Sequence, residues 1–206
     1  ESDMATLKEH LRLELAHALE ARPDLVTVAL ADGAHHNWAF FETLSCRHQI
    51  VDFYHAVQHL KRALDVSMGA THLKTQKKFK KLRTLLLTRR GGVDMVIRSL
   101  QQLRPKLRGG ARDWLTGVNY FKRHRTRMNY ATFRAKKLPI GSGVIESTCK
   151  SLASDRLKRA GMRWKTLGGQ AILTLRAWMQ SDRLDAAWTV LNENYIADVV
   201  PMRSAA

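Results

Sequence analysis

Two acidic residues, Asp32 and Glu146, are placed where carboxylates could act on a phosphodiester. Asp32 directly follows an apolar run at 25–30, and Glu146 lies near the start of a predicted helix inside the basic segment 138–163. Carboxylates beside a basic surface bind Mg²⁺ or Mn²⁺, because these ions prefer hard oxygen ligands. Two such ions can activate a water or a 3′-hydroxyl and stabilise the leaving oxygen of a phosphodiester. Asp32 and Glu146 are therefore candidate ligands of one metal site.

Asp32 also has an ordinary structural explanation, because Asp-Gly is a common turn pair after a strand. Against this, functional groups collect at the carboxyl ends of strands in open α/β sheets. Asp52 ends the next predicted strand, at 49–51, and is the best-placed candidate for a third carboxylate. It also fits the N-cap of a helix beginning at Phe53, and this is the role that we favour.

Glu146 is open to two interpretations. It could form an i, i+4 ion pair with Lys150 on an exposed helix face, worth roughly 0.3–0.5 kcal/mol. It also shares a helical stripe with Cys149, Ala153 and Leu157, which is the small and apolar side of the helix. Burying a carboxylate on such a side is costly without a cation or metal. The stripe predicts that Glu146 points towards the edge of the core.

Histidines near these acids add further alternatives. His55 and His59 have the i, i+4 spacing of a zinc pair, but the motif H-E-x-x-H is absent since Ala56 follows His55. We favour packing or phosphate contact for both, and we expect His55 to support the site together with Asp52. His36 and Asn37, just beyond Asp32, are candidates for contact with substrate phosphates, although the polarity of an exposed loop explains them equally well.

Basic residues are distributed very unevenly along the chain. Residues 1–60 contain four Lys or Arg against nine Asp or Glu, whereas residues 61–206 contain 31 against nine. Such an excess attracts phosphate backbones in a salt-dependent, sequence-independent manner, so we expect nucleic-acid binding. The candidate contacts from the two most basic segments are Lys77, Lys78, Lys81, Lys150, Arg156, Lys158, Arg159 and Arg163.

Hydrophobic periodicity predicts a mostly helical α/β protein. The apolar run at 25–30 and the shorter one at 49–51 predict two parallel strands connected by a helix at 37–44. Further helices are predicted at 4–22, 53–66, 71–90, 93–103, 111–127, 131–136, 144–158, 166–180 and 183–195. We expect three parts: a partial α/β core at 1–55, a basic helical block at 56–137 and a helical C-terminal part at 138–206.

Composition excludes several other classes. The 45% hydrophobic content excludes wholesale disorder, and no apolar run approaches the ~20 residues of a membrane helix. Cys46 and Cys149 form neither a disulfide framework nor a C-x-x-C zinc pattern, which favours a reducing cytoplasm. The motifs G-x-S-x-G, G-x-G-x-x-G and the P-loop are absent, so hydrolase, dinucleotide-binding and NTPase functions have no support.

Three segments together resemble the C-terminal half of bacterial insertion-sequence transposases of the DDE type. They are ADGAHHNW at 31–38, VDFYHAVQHL at 51–60 and LPIGSGVIESTCKSLASDRLKRAGMRW at 138–164. The likeness is greatest to the ISKra type and looser to the ISL type, and it spans about 25–195. Each segment is a weak signal alone, whereas their order along the chain is specific.

The resemblance implies a partial RNase-H-like core with a large all-α insertion at about 56–137. It implies Mg²⁺-dependent (or Mn²⁺-dependent) strand cleavage and transfer at transposon ends by a bacterial, nucleoid-associated enzyme without a membrane partner. Asp32 matches the second catalytic aspartate and Glu146 the catalytic glutamate, while Asp52 matches an aspartate of the family's D-F-H-like segment. The implied partners are transposon-end and target DNA, and a second copy of the chain.

The first catalytic aspartate of the family has no counterpart here, because residues 1–24 contain no β-run ending in Asp. We therefore expect a C-terminal fragment that is incomplete alone and whose partner is the missing N-terminal half. The alternative is a remnant that binds nucleic acid without catalysis, and a scaffold with incidental charge is a third possibility. Sequence alone leaves enzymatic activity open.

Overall fold

A computed structural model describes residues 4–103, 105 and 110–198, together with the backbone but not the side chains of the last three of these. The chain divides into two compact units, residues 1–142 and residues 143–206. Within the described residues no helix is long and apolar enough to cross a membrane.

A small parallel sheet lies in the first unit. Strand β1 spans Val28–Ala31, helix α2 spans His35–Phe41 and strand β2 spans His48–Val51. The strands pair in parallel, with Ala31 opposite Val51, so the predicted strand–helix–strand order is confirmed. The first strand begins later than predicted, because Leu25 and Val26 lie outside it and are exposed.

The described part of the first unit contains six more α-helices, and each was predicted from the sequence. They are α1 Met4–Ala21, α3 Phe53–Met68, α4 Leu73–Thr88, α5 Gly92–Gln102, α6 Ala111–Arg123 and α7 Tyr130–Ala135. Helix α6 ends earlier than the predicted 127, at Arg123, and a 3₁₀ turn follows at Arg125–Arg127.

One core joins the sheet to helices α3 to α7. Ile50 and Val51 of β2 are fully buried in it, together with a stripe of α3 that includes Ala56, Leu60 and Leu64. These three positions follow the i, i+4, i+8 spacing of one helix face. Helices α3 and α6 approach closely at Gly117, where an added Cβ would lie 2.8 Å from the Cβ of Ala63. The sheet edge therefore rests on a rigid helical support.

The second unit is more open. Its helices are α8 Gly143–Cys149, α9 Asp155–Leu157, α10 Thr166–Gln180 and α11 Leu184–Asp198, and a π-helical segment, Lys150–Ser154, joins α8 to α9. The helix predicted at 144–158 is thus present but contains a π turn, an irregularity that is frequent at functional sites. Gly169 is the only buried residue from 143 to 195. The described chain is therefore mostly helical with a small parallel sheet.

Candidate functional site

Two carboxylates end the two paired strands. Asp32 directly follows β1 and Asp52 directly follows β2, and the amide of Asp52 donates to the carbonyl of Ala31 across the sheet at 2.8 Å. Because parallel strands present their carboxyl ends at one edge, both acids lie at the same edge of the sheet. The sequence predicted this placement.

Asp32 is half-buried and is oriented by the beginning of α2. Its Oδ1 accepts hydrogen bonds from the amide of Ala34 and from Nδ2 of Asn37, each at 3.1 Å. The indole of Trp38 donates to the backbone carbonyl of Asp32 at 2.9 Å. The side chain that was predicted to contact phosphate, Asn37, is therefore held against the candidate ligand, whereas His36 is exposed.

Asp52 is only 1% exposed and serves two structural purposes. Its Oδ1 accepts from the amide of His55 at 2.9 Å, which confirms the predicted N-cap of α3. Its Oδ2 accepts from the amide of Ser142 at 2.5 Å, and the amide of Phe53 donates to the carbonyl of Ile140 at 2.8 Å. The buried carboxylate thus fixes the loop 138–142 to the end of β2.

Opposing effects act on the pKa of Asp52. Burial raises it, but hydrogen bonds from the backbones of His55, Ser142 and Tyr54 and from the Ser142 side chain outweigh burial and lower the pKa. The carboxylate is therefore ionised at neutral pH. Nδ1 of His55 lies 3.6 Å from Oδ1 of Asp52, with 43% of the His55 side chain exposed, so His55 lies beside the carboxylate as expected.

An aromatic wall borders the same edge. Tyr120 of α6 stacks on His59 with 3.8 Å between ring centroids, and its edge packs against Gly33, where no side chain could fit. Burial, with the charges of Asp32 and Asp52, raises the pKa of Tyr120 well above its usual range. The Tyr120 hydroxyl is buried and has no hydrogen-bond partner among the described residues. It is a neutral donor held close to two carboxylates.

His124 extends this wall at the end of α6. Its ring is 1% exposed, and neither ring nitrogen has a hydrogen-bond partner of ordinary geometry in the described part of the chain. Burial, and then the charges of Arg127 and Arg123, lower its pKa to about 4, although the nearby backbone of Gly33 acts in the opposite direction. The imidazole is therefore neutral at physiological pH.

Glu146 lies in α8, in the second unit, and is exposed. The prediction that it faces the edge of the core is wrong, since α8 contains no buried residue and Cys149 of the same stripe is also exposed. Too few side chains pack on this short helix to create an apolar face. The next segment is fixed within the unit by Arg176, whose Nε donates to the carbonyl of Leu152 at 3.1 Å.

The predicted nucleic-acid contacts lie mostly on the surface. Helix α4 exposes Lys77 and Lys81 and partly exposes Lys78, and it contains no acid. In the second unit the candidate cations are all exposed: Lys150, Arg156, Lys158, Arg159 and Arg163. Each unit therefore presents basic side chains to solvent.

A complete metal centre is not present within the described residues, where no group of three or more His, Cys, Asp or Glu side chains could hold an ion. The alternative zinc pair is engaged elsewhere, because His59 stacks on Tyr120 and His55 lies beside Asp52. For Mg²⁺ the donor chemistry at the sheet edge fits, since Asp32 offers hard oxygen atoms. The number of ligands is too small, because Asp52 already binds two backbone amides.

The sequence did not reveal three features of this edge: the buried His124, the Tyr120 hydroxyl near the carboxylates, and the bond between Asp52 and Ser142. The last had a weak signal in the Gly-Ser-Gly turn. The other two had none, because a helical aromatic stripe usually indicates only a core.

No match was found when the chain was compared with protein-family profiles, curated proteins and solved structures.

Proposed function

We propose that this chain is the C-terminal portion of a DDE transposase of the ISKra type, which cleaves and transfers DNA strands at insertion-sequence ends. One observation carries the proposal: Asp32 and Asp52 end adjacent parallel strands, and Asp52 anchors the loop that leads to Glu146. An RNase-H-like core with a helical insertion at 56–137 would arrange its acids in this order.

In this proposal Asp32 is a ligand of Mg²⁺ or Mn²⁺ that acts with a further carboxylate, and Glu146 is the catalytic glutamate that the resemblance implies. A bound ion would neutralise charge on the phosphodiester and activate its attacker. The chain's own residues have simpler roles: Asn37 orients Asp32, and Asp52 fixes the loop before Glu146. Because the described residues do not form a complete ligand set, we expect the missing N-terminal half to supply the third acid.

The basic residues would bind the DNA backbone. Each phosphate contact that a cation makes adds about 0.9 to the magnitude of the slope of log K against log salt. Replacing both Lys77 and Lys81 by Gln should therefore weaken binding and reduce that slope by up to about 2. The matched control replaces Lys136 and Lys137, an exposed pair in the same unit, by Gln. An equal loss in both variants would contradict a defined surface on α4.

Catalysis is tested with transposon-end DNA in Mg²⁺. We expect salt-dependent binding but no strand cleavage by the chain alone, and cleavage when the upstream half is supplied. Replacing Glu146 by Gln should abolish that cleavage and leave DNA binding within about twofold, because an uncharged amide binds divalent ions poorly. Cleavage by the chain alone, abolished in Glu146→Gln, would show that it needs no further carboxylate.

A remnant that binds nucleic acid without chemistry is the second candidate, and the small number of acids at the sheet edge favours it. The two functions differ when the upstream half is added. A remnant would bind transposon-end DNA with the same salt dependence, but no combination with that half would cleave it.

A further inference from the structure

A cavity of about 550 Å³ lies beside the Asp32 loop, wholly within the first unit. Its volume is within the range of roughly 300–1,000 Å³ that is typical of small-ligand sites. Helix α2, which forms one wall, begins three residues after Asp32, and its Trp38 donates to the Asp32 carbonyl. The lining residues are His35, Trp38, Ala39, Glu42, Arg123, His124 and Arg127.

Arg127 is fixed in this cavity as a flat platform. Its Nε donates to Oε1 of Gln49 at 2.8 Å and its Nη2 donates to Oε1 of Glu42 at 3.2 Å. The guanidinium carbon lies over the Trp38 ring, 4.4 Å from its centre, so the indole bounds the group on one side. Two donors of the guanidinium are engaged, and Trp38 lies on one side of it. A ligand can therefore reach only the side opposite Trp38, and 18% of the Arg127 side chain is exposed. A guanidinium face stacks on planar bases.

Trp38 and His124 give the cavity aromatic walls, which favour a planar base inside it. Glu42 pairs with Arg127, so these two charges offset each other within the cavity. His124 contributes a neutral imidazole whose nitrogens are buried, so it presents a flat ring surface to the cavity. Arg123 and His35 complete the lining, and both are exposed and suit a phosphate.

We propose that this cavity binds an unpaired nucleobase of a DNA strand, stacked on the side of Arg127 opposite Trp38, while the strand's backbone passes the Asp32 loop. The ring of His124 forms part of the wall around the base, and Arg123 binds the adjoining phosphate. The inference rests on the proposed function, because it assumes that the first unit binds DNA.

Two DNA probes test the inference. Both are duplexes with a short single-stranded overhang, made of thymidines in one and of abasic sites in the other, so that the phosphates are identical. Stacking on a protein side chain contributes about 1–3 kcal/mol per base, which corresponds to about 5–150-fold in affinity. We expect the wild-type chain to bind the thymidine probe about tenfold more tightly than the abasic probe.

Arg127→Lys retains the charge but removes the flat platform, so the ratio of the two affinities should fall to near one with an unchanged salt slope. Arg125→Lys is the matched control, because Arg125 lies in the same 3₁₀ turn and is paired with Asp94, and it should retain the wild-type ratio. Ala39→Leu, an exposed position on the cavity wall, should also lower the ratio by filling the space. Circular dichroism checks that each variant folds.

The inference is overturned if the wild-type ratio is near one, if both cavity variants retain it, or if Arg125→Lys loses it equally. Free thymidine monophosphate is the third probe. If it binds in an Arg127-dependent manner while the two overhangs bind equally, the cavity serves a free nucleotide and the assignment to a DNA strand is wrong. Equal salt-dependent binding of both overhangs defeats this inference alone, whereas absence of any DNA binding defeats the proposed function as well.

Discussion

The ends of β1 and β2 carry the same residue in the same register and use it differently. Asp52 is buried, and its two oxygens accept from the amides of His55 and Ser142. Asp32 is half-buried, and both of its short contacts, from Ala34 and Asn37, reach the single oxygen Oδ1. Both oxygens of Asp52 are therefore occupied by backbone hydrogen bonds, whereas the Asp32 carboxylate is oriented and remains partly accessible.

The difference arises from the segment that comes after each strand. After β2 a helix begins at once, so Asp52 becomes its N-cap, and the loop 138–142 returns to cover it. After β1 a Gly-Ala turn intervenes before α2, and the carboxylate remains at the surface of the edge. A strand-end aspartate is thus a candidate ligand only when no helix and no returning loop satisfy both of its oxygens.

The largest expected difference is between Asp52→Asn and Asp32→Asn. An amide at position 52 turns a donor towards backbone N–H groups and leaves a buried donor unsatisfied, so the free energy of unfolding should fall by about 2–3 kcal/mol. Asp32→Asn retains an acceptor for Ala34 and Asn37, and should lower stability by less than about 1 kcal/mol. Urea denaturation followed by circular dichroism measures both.

For metal affinity we expect the larger effect from Asp32→Asn, which has the smaller effect on stability. Asp32→Asn is expected to weaken Mn²⁺ binding in the complex with the upstream half, because it removes a charged oxygen ligand. Similar losses of stability in the two variants would show that the two strand ends do not differ as their contacts imply.

A second comparison uses the glycines next to each acid. An added Cβ at Gly33 would collide with the buried ring of Tyr120, whereas one at Gly141 would lie 2.9 Å from the exposed ring of Tyr54. Overpacking against a fixed ring costs about 1–3 kcal/mol, so Gly33→Ala should lower stability by that amount. Gly141→Ala should change it by less than about 0.5 kcal/mol, because Tyr54 can turn away. Thermal unfolding compares them, and a larger effect at Gly141 would contradict the fixed wall beside β1.

Much of the fold could be predicted from the sequence because its signals are local. The apolar stripe of α3 follows the helical period, the adjacent β-branched Ile50 and Val51 indicate a buried strand, and Asp52 before Phe53 is an N-cap pattern. The limits of β1 were less accurate, because Leu25 and Val26 resemble the strand but lie outside it. Periodicity does not show where pairing with β2 begins.

The candidate site could be predicted only in part. Asp32 was identifiable because it follows an apolar run, but the bond from Ser142 to Asp52 joins residues 90 positions apart. The buried Tyr120 and His124 come from α6, whose pattern indicates only a helix packed on one side. Glu146 was expected on a packed face and is exposed. Such placements depend on packing between residues that are far apart in the chain, and local sequence patterns do not reveal it.

The smallest expected effect is a difference between the two strand ends in the pH at which each stops contributing to stability. His124, beside the end of β1, has a pKa lowered to about 4 in the folded chain, so the unfolded chain binds a proton first as pH falls. Its neutral form contributes stability that is lost below about 6.5, amounting to about 1–2 kcal/mol by pH 5. Asp52 also has a lowered pKa, but its contribution is lost only below about 4, as pH approaches its folded value.

His124→Phe tests this separation because it preserves a ring between Trp38 and Tyr120 but removes the titrating group. Stability measured by urea denaturation from pH 7 to 5 should then vary less than in the wild-type chain, while the loss below pH 4 persists. His36→Gln, at an exposed position on α2, is the matched control and should retain the wild-type profile. If His124→Phe leaves the slope between pH 6.5 and 5 unchanged, burial of a neutral His124 does not make the end of β1 acid-sensitive. The two strand ends would then differ in their hydrogen bonds alone.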